Sequence, residues 1–112
     1  GHEGCFLRWP MTPGAVWIVE GFTDCAALLT LGLQAIGRPS CTGGTTILRA
    51  LCAGRGVVIV ADNDKPGQSG ALALGRALLN TTEALQVISP PDGIKDARQW
   101  VIAGARRKDF GP

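Results

Sequence analysis

The sequence has no tyrosine and only one histidine in 112 residues. Its four cysteines form no CxxC pair, so a zinc site of the usual Cys/His type is not expected. No apolar run reaches the roughly 18–20 residues that a membrane-spanning helix needs, and no secretory signal pattern opens the chain. Reduced cysteines without an export signal favour the cytosol. We therefore expect a cytoplasmic protein with no membrane partner.

Charge of either sign is also limited. Charged residues make up 18% of the chain and the net charge is +2, which is too mild to indicate nucleic-acid binding by itself. Hydrophobic residues make up 46%, which is enough to fill a core and excludes a disordered chain. The length allows one domain. We expect a lead-in over 1–14, one domain over 15–104, and a frayed basic tail or cut edge over 105–112.

Strand-like and helix-like segments alternate along the chain. Two continuous apolar runs, 15–19 and 57–61, predict strands buried on both faces, as in a parallel sheet covered by helices. Shorter runs at 34–36 and 85–88 predict edge strands. Amphipathic or capped segments predict helices over 23–31, 45–53, 68–79 and 96–103. This alternation predicts a small open α/β layer fold with right-handed crossovers.

The few acidic residues are concentrated in three loops. Six of the nine lie in the loops that follow predicted strands: Glu20, Asp24, Asp62, Asp64, Asp92 and Asp96. Ligands bind beyond the carboxyl ends of strands in such sheets. Crowded carboxylates repel one another, and Mg²⁺, which prefers hard oxygen ligands, relieves that repulsion. Asp62 and Asp64 could both turn toward one ion, with Glu20 as a further ligand or as a general acid/base.

Each acidic residue also has a structural explanation. The segment from Asp62 to Asp64 could be a turn held by Asx hydrogen bonds, and Asp92 between proline and glycine is most simply a turn residue. Asp24 could stabilise a helix N-terminus through the helix dipole. Asp96 is well placed as a helix N-cap. Only the convergence of the six residues on one edge of the sheet favours a functional site.

Basic residues and a glycine pair border the acidic loops. Away from the six acids, eleven Lys and Arg residues face only three acids, which predicts a basic remaining surface. Four of these basic residues lie in or near the loops of the acidic edge: Arg38, Lys65, Lys95 and Arg98. This surface would suit a polyanion such as a phosphodiester chain, although ordinary solvated charges are the alternative. Gly43 and Gly44 could expose amides to a phosphate or form a plain turn.

Taken together, these motifs resemble those of a Toprim domain, the catalytic module of bacterial-type primases, type IA and type II topoisomerases and some nucleases. The first apolar strand ends in EGFTDCAAL over Glu20–Leu28, and the second ends in DNDKPG over Asp62–Gly67. A KDA segment follows at Lys95–Ala97. The resemblance covers residues 15–104 and is greatest to primases and phage-type primase-helicases.

The resemblance implies a Toprim, Rossmann-like fold with a central parallel sheet of about four strands flanked by helices. It implies that Asp62 and Asp64 bind Mg²⁺ or Mn²⁺ with help from Glu20, with two further acidic candidates, Asp24 and Asp96. It also implies that two lysines contact phosphates, namely Lys65 and Lys95.

For activity, the resemblance implies nucleotidyl transfer: synthesis of an RNA primer on single-stranded DNA from nucleoside triphosphates during DNA replication. Cellular primases also carry a zinc-binding module, a neighbouring subdomain and often a helicase. We therefore expect the sequence to be a piece of a larger protein whose other domains are its partners, with weak or no activity on its own.

Other classes explain parts of the pattern. A topoisomerase needs a tyrosine nucleophile on another domain, so this chain, which has no tyrosine, would supply only the metal-binding half of such an enzyme or of a nuclease-type relative. A haloacid-dehalogenase-type phosphatase also places DxD after an apolar strand, but usually has Thr or Val where this chain has Pro66. A non-catalytic module that binds nucleic acid or protein predicts binding that does not depend on Mg²⁺.

Overall fold

The computed structural model describes residues 4–111 and contains a five-stranded sheet with helices on both faces. The strands are β1 (Phe6–Leu7), β2 (Val16–Glu20), β3 (Ala35–Arg38), β4 (Gly56–Val60) and β5 (Ala84–Ile88). The helices are α1 (Phe22–Thr30), α2 (Thr45–Cys52), α3 (Lys65–Leu78) and α4 (Ala97–Ile102), followed by a short 3₁₀ helix over Arg107–Phe110. Within residues 4–111, no helix is long and apolar enough to cross a membrane.

The sheet has the order β1-β3-β2-β4-β5. The four strands predicted from the sequence are all parallel, so the predicted α/β fold with a central parallel sheet is confirmed. The fifth strand, β1, comes from the lead-in and pairs antiparallel with β3. The sequence analysis did not predict it, because a strand of two residues is too short to show a hydrophobic period.

Two apolar layers explain why the central strands are continuously hydrophobic. Successive side chains of a strand point to opposite faces of the sheet. Ile18 therefore packs with Leu48 and Leu74 on the face covered by α2 and α3, whereas Val19 packs with Leu28 on the face covered by α1 and α4. Cys25 also lies in this second layer and is buried.

Capping by aspartate defines the start of two helices. Helix α3 begins at Lys65, three residues earlier than predicted, because Asp64 is its N-cap and Pro66 is tolerated in a first turn. The side chain of Asp96 accepts a hydrogen bond from the Gln99 amide at 2.8 Å. Asp96 is therefore the N-cap of α4, and this alternative from the sequence is confirmed.

The segment 105–111 is packed against the domain and is not the frayed tail that its basic composition suggested. Phe110 is fully buried, and its ring centroid lies 4.4 Å from that of Trp100. The Phe110 carbonyl oxygen accepts a hydrogen bond from Trp17 Nε1 at 2.8 Å. One aromatic anchor thus orders a segment whose other side chains are mostly charged. Residues 1–3 of the predicted lead-in and Pro112 lie outside the described residues.

Candidate active site

The acidic edge is centred on two neighbouring strands. Glu20 is the last residue of β2, and Asp62 follows the end of β4, which pairs directly with β2. The chain passes from β2 to β3 on one side and then back across to β4 on the other. The connections after β2 and β4 therefore diverge, and this opens a crevice of the kind in which α/β proteins bind ligands.

Glu20 and Asp62 line the same narrow cavity between the ends of β2 and β4, and they are called the acid pair below. Burial is the main cause that raises the pKa of Asp62 to about 7, followed by the negative charges of Asp24 and Glu20 and by the hydrogen bond to Glu20. Nearby negative charges disfavour the ionised form of a carboxyl group. In the absence of a cation, a proton on Asp62 relieves its repulsion by Asp24 and Glu20.

Asp24 and Asp96 surround the pair while also stabilising α4. Asp24 is 4% exposed, and its Oδ1 accepts a hydrogen bond from the Arg98 amide at 3.1 Å. Burial first, and then the charge of Asp96, raises the pKa of Asp24 to about 6. Both carboxylates also raise the pKa of Asp62. Asp24 and Asp96 therefore both stabilise α4 and add negative charge around the acid pair.

Asp64 has protein partners for both of its oxygens. Oδ1 accepts a hydrogen bond from the Gly67 amide at 2.6 Å, and Oδ2 lies 3.3 Å from Lys95 Nζ. The Gly67 hydrogen bond and Lys95 hold the pKa of Asp64 below its usual value. Gly67 permits this cap, since a Cβ at that position would lie 2.8 Å from Asp64 Oδ1. The structure thus separates the predicted pair: Asp62 lies with Glu20 at one cavity, whereas Asp64 bonds with α3 and Lys95.

Asn63 connects the loop after β4 to the loop after β5, a role that the sequence analysis missed. Its Nδ2 donates to the carbonyl oxygens of Pro90 at 2.8 Å and Ile94 at 2.6 Å. Its backbone amide donates to the Lys95 carbonyl oxygen at 2.7 Å. The only signal in the sequence was an amide side chain between two aspartates. Asn63 therefore fixes Lys95 beside Asp64.

Asp92 takes the structural role that the sequence also allowed. It is exposed in a turn in which the Ile94 amide donates to the Pro91 carbonyl oxygen at 3.1 Å. Asp92 therefore provides an acidic residue of the same loop set that is suited to serve as an experimental control.

The basic residues and glycines that were predicted to contact phosphate differ in their exposure. Lys65 is exposed at the start of α3. Arg38, expected at the rim, is buried and donates to the Gly43 carbonyl oxygen. The Gly43 amide donates to Ser40 Oγ at 2.9 Å, so it does not point to a phosphate in this conformation. Gly44 is the left-handed N-cap of α2, with φ of 79°. Lys65 and Lys95 keep the exposure that the predicted phosphate contacts require, and Arg98 at the start of α4 is exposed as well.

The chemistry of the acid pair fits a divalent cation. Glu20 and Asp62 supply two hard oxygen donors, and Mg²⁺ is commonly held by one or two carboxylates with water and substrate phosphate completing its shell. Within the described residues, no three His, Cys, Asp or Glu side chains converge closely enough to form a metal-binding group. The fit is therefore to a two-carboxylate site and not to a closed protein cage.

Comparison with known proteins gives one informative match. No family model matches the sequence, and no curated protein does so. The solved structure of the DnaG catalytic core matches with 27% sequence identity and a TM-score of 0.61. The match covers 88% of this chain and 32% of that chain, so this chain spans about a third of the matched protein's length. The predicted resemblance is thereby confirmed: the chain has a Toprim-type fold and is similar to the catalytic core of bacterial primase.

Proposed function

We propose that this chain is the Mg²⁺-dependent nucleotidyl-transfer domain of a primase or primase-helicase. The observation that carries the proposal is the acid pair, because it combines two hard ligands at the carboxyl edge of a Toprim-type sheet. The similarity to the DnaG catalytic core supports the same class. We further propose that template DNA, nucleoside triphosphates and the remaining domains of the parent protein are its partners.

In this proposal Glu20 and Asp62 hold the cation. When bound, the cation would stabilise charge on the phosphoryl group and lower the cost of forming an attacking oxyanion. Asp62 must lose its proton before both carboxylates can act as ligands. Since the pKa of Asp62 is about 7, metal affinity should increase as the pH rises through neutrality.

Asp64 and Lys95 would take part in the reaction only after the ion pair between them breaks. In the present arrangement each satisfies the other, with 3.3 Å between Asp64 Oδ2 and Lys95 Nζ. If Asp64 is to serve as a further ligand, Lys95 must move away, and its ammonium group can then contact a substrate phosphate. Lys65, exposed one residue after Asp64, could bind phosphate without any such exchange.

A titration with Mn²⁺ followed by NMR tests the site. Paramagnetic broadening should begin at the backbone signals of Glu20 and Asp62, and Glu20→Gln and Asp62→Asn should each weaken binding by at least about tenfold, since each variant removes one charged ligand. The matched control is Asp92→Asn, which removes an exposed carboxylate outside the acid pair and should bind Mn²⁺ as the wild type does. Equal affinity in all four proteins would refute the site.

Nucleic-acid binding separates this proposal from the non-catalytic alternative. Anisotropy of a labelled single-stranded DNA should increase with the protein in Mg²⁺ and fall when a chelator is added, and Asp62→Asn should remove the difference. Binding that is the same with and without the chelator would favour a simple binding module.

A further inference from the structure

A buried arginine lies beside the acid pair. Arg38 is 5% exposed, and within the described residues its guanidinium group forms no ion pair. Burial accordingly lowers its pKa. A buried charge is costly unless it is compensated. The negative charge of Glu20, the residue paired with Arg38, supplies part of that compensation, and the hydrogen bonds of the planar guanidinium group supply more.

Those hydrogen bonds join three parts of the acidic edge. Arg38 Nε donates to the Gly43 carbonyl oxygen at 2.9 Å, and Nη1 donates to the Gly70 carbonyl oxygen at a longer 3.5 Å. Gly43 lies in the loop of residues 39–44 between β3 and α2, and Gly70 lies in α3. Arg38 itself is paired in register with Glu20 across β2 and β3. One side chain therefore links the end of the sheet, loop 39–44 and the helix that follows Asp62.

Loop 39–44 is packed closely against α3. A Cβ at Gly70 would lie 2.0 Å from the Cys41 carbonyl oxygen, so only glycine permits this contact. Inside the loop, Ser40 Oγ accepts hydrogen bonds from the amides of Gly43 at 2.9 Å and Thr42 at 3.3 Å. Glu20, Asp62, Arg38 and Cys41 line one narrow cavity, so displacement of the loop would reach the acid pair directly.

We propose that Arg38 is a positioning residue for the candidate active site. Its guanidinium group fixes loop 39–44 and α3 against the ends of β2 and β3, and this keeps the connection that carries Asp62 next to Glu20. The consequence for cation binding rests on the proposed function, whereas the consequence for the order of the loop does not.

Two substitutions separate hydrogen-bond geometry from charge. Arg38→Lys keeps the positive charge, but one ammonium group on an unbranched stem cannot reproduce the planar fork. Arg38→Gln removes the charge and remains tolerable in a buried position. The control is Arg49→Gln, which changes an exposed arginine in the last turn of α2.

Hydrogen exchange and Mn²⁺ titration are the two measurements. We expect both Arg38 variants to speed exchange of the Gly43 amide by about tenfold, the loss typical of one hydrogen bond, while amides in β4 keep their wild-type rates. We also expect Mn²⁺ affinity to fall by about fivefold or more in both variants, a change typical of a positioning group. The Arg49 variant should match the wild type in both measurements.

Three outcomes would overturn the inference. Wild-type exchange and affinity in Arg38→Lys would assign the effect to charge alone. Faster exchange spread evenly over the sheet and the loop would show a general contribution to stability and no positioning role. Unchanged exchange at Gly43 in both variants would also refute it. If wild-type protein binds no Mn²⁺, the proposed function fails, and the exchange data still decide the role of Arg38.

Discussion

Replacing Asp62 with asparagine should stabilise the metal-free protein above neutral pH. The folded chain retains a proton on Asp62 up to a pKa of about 7, against an ordinary value of 3.8. Between these two values the folded state binds more protons than the unfolded state, so the free energy of unfolding falls as the pH rises. An asparagine side chain at this position has no titratable proton, so the variant lacks this part of the pH dependence.

The magnitude follows from the difference between the two pKa values. Without screening, the change from 3.8 to about 7 would correspond to about 4 kcal/mol. Asp62 is only half-buried, and solvent screening reduces such an interaction strongly. We therefore expect Asp62→Asn to be more stable than the wild type by about 1–2 kcal/mol at pH 8, and to be of similar stability at pH 4.

Urea denaturation in the presence of a chelator measures this effect. Wild type, Asp62→Asn and the control Asp92→Asn should be compared at several pH values between 4 and 8.5. The stability difference for Asp62→Asn should grow through neutrality, whereas that for Asp92→Asn should stay constant over the same range. A variant that is less stable than the wild type at pH 8 would refute the interpretation that burial and nearby charges disfavour the ionised form of Asp62.

Four other substitutions test separate parts of the structure. Phe110→Ala should lower the free energy of unfolding in urea by about 3–5 kcal/mol because a buried aromatic ring is lost; a wild-type value would mean that the terminal segment is not packed. Asn63→Ala should cost about 2–3 kcal/mol and speed hydrogen exchange over residues 90–95, and unchanged exchange there would argue against its bridging role. Gly70→Ala should cost at least about 1–3 kcal/mol, because the new methyl group meets the Cys41 backbone; a neutral effect would contradict the close loop contact. Lys95→Ala should leave the melting temperature unchanged, since the ion pair is exposed, and should strengthen Mn²⁺ binding by releasing Asp64, so weaker binding would contradict the proposed exchange of partners.

The sequence was informative about the fold because the central strands are buried on both faces. Continuous β-branched runs at β2 and β4, separated by helical segments, leave few arrangements other than a parallel sheet. The sequence analysis could not predict strand β1 or the packing of Phe110. A two-residue strand has no detectable period, and a single aromatic residue in a charged segment carries no statistical signal. Both are stabilised by contacts that form only once the chain has folded.

The sequence indicated acidic residues at this edge of the sheet, but it could not indicate which side chains would contact one another. The ends of parallel strands brought Glu20 and Asp62 together, as the sequence suggested. Spacing alone could not decide whether Asp64 would turn toward the site or cap α3. The Gly67 amide and Lys95 decide this in the folded chain. Arg38 shows the same limit, since a charged residue in a predicted loop gives no sign that it will be buried among carbonyl groups.

The central position of β2 and β4 has a consequence for how such a domain can be altered. The outer strand β1 is separated from β2 by β3, whereas β5 pairs directly with β4 and is followed by the loop that carries Lys95. Insertions, grafted modules or new chain connections at the β1 border can therefore change the molecule's neighbours while leaving the acid pair and Lys95 in place. An engineer seeking new specificity should diversify the β1 border and keep the other four strands constant.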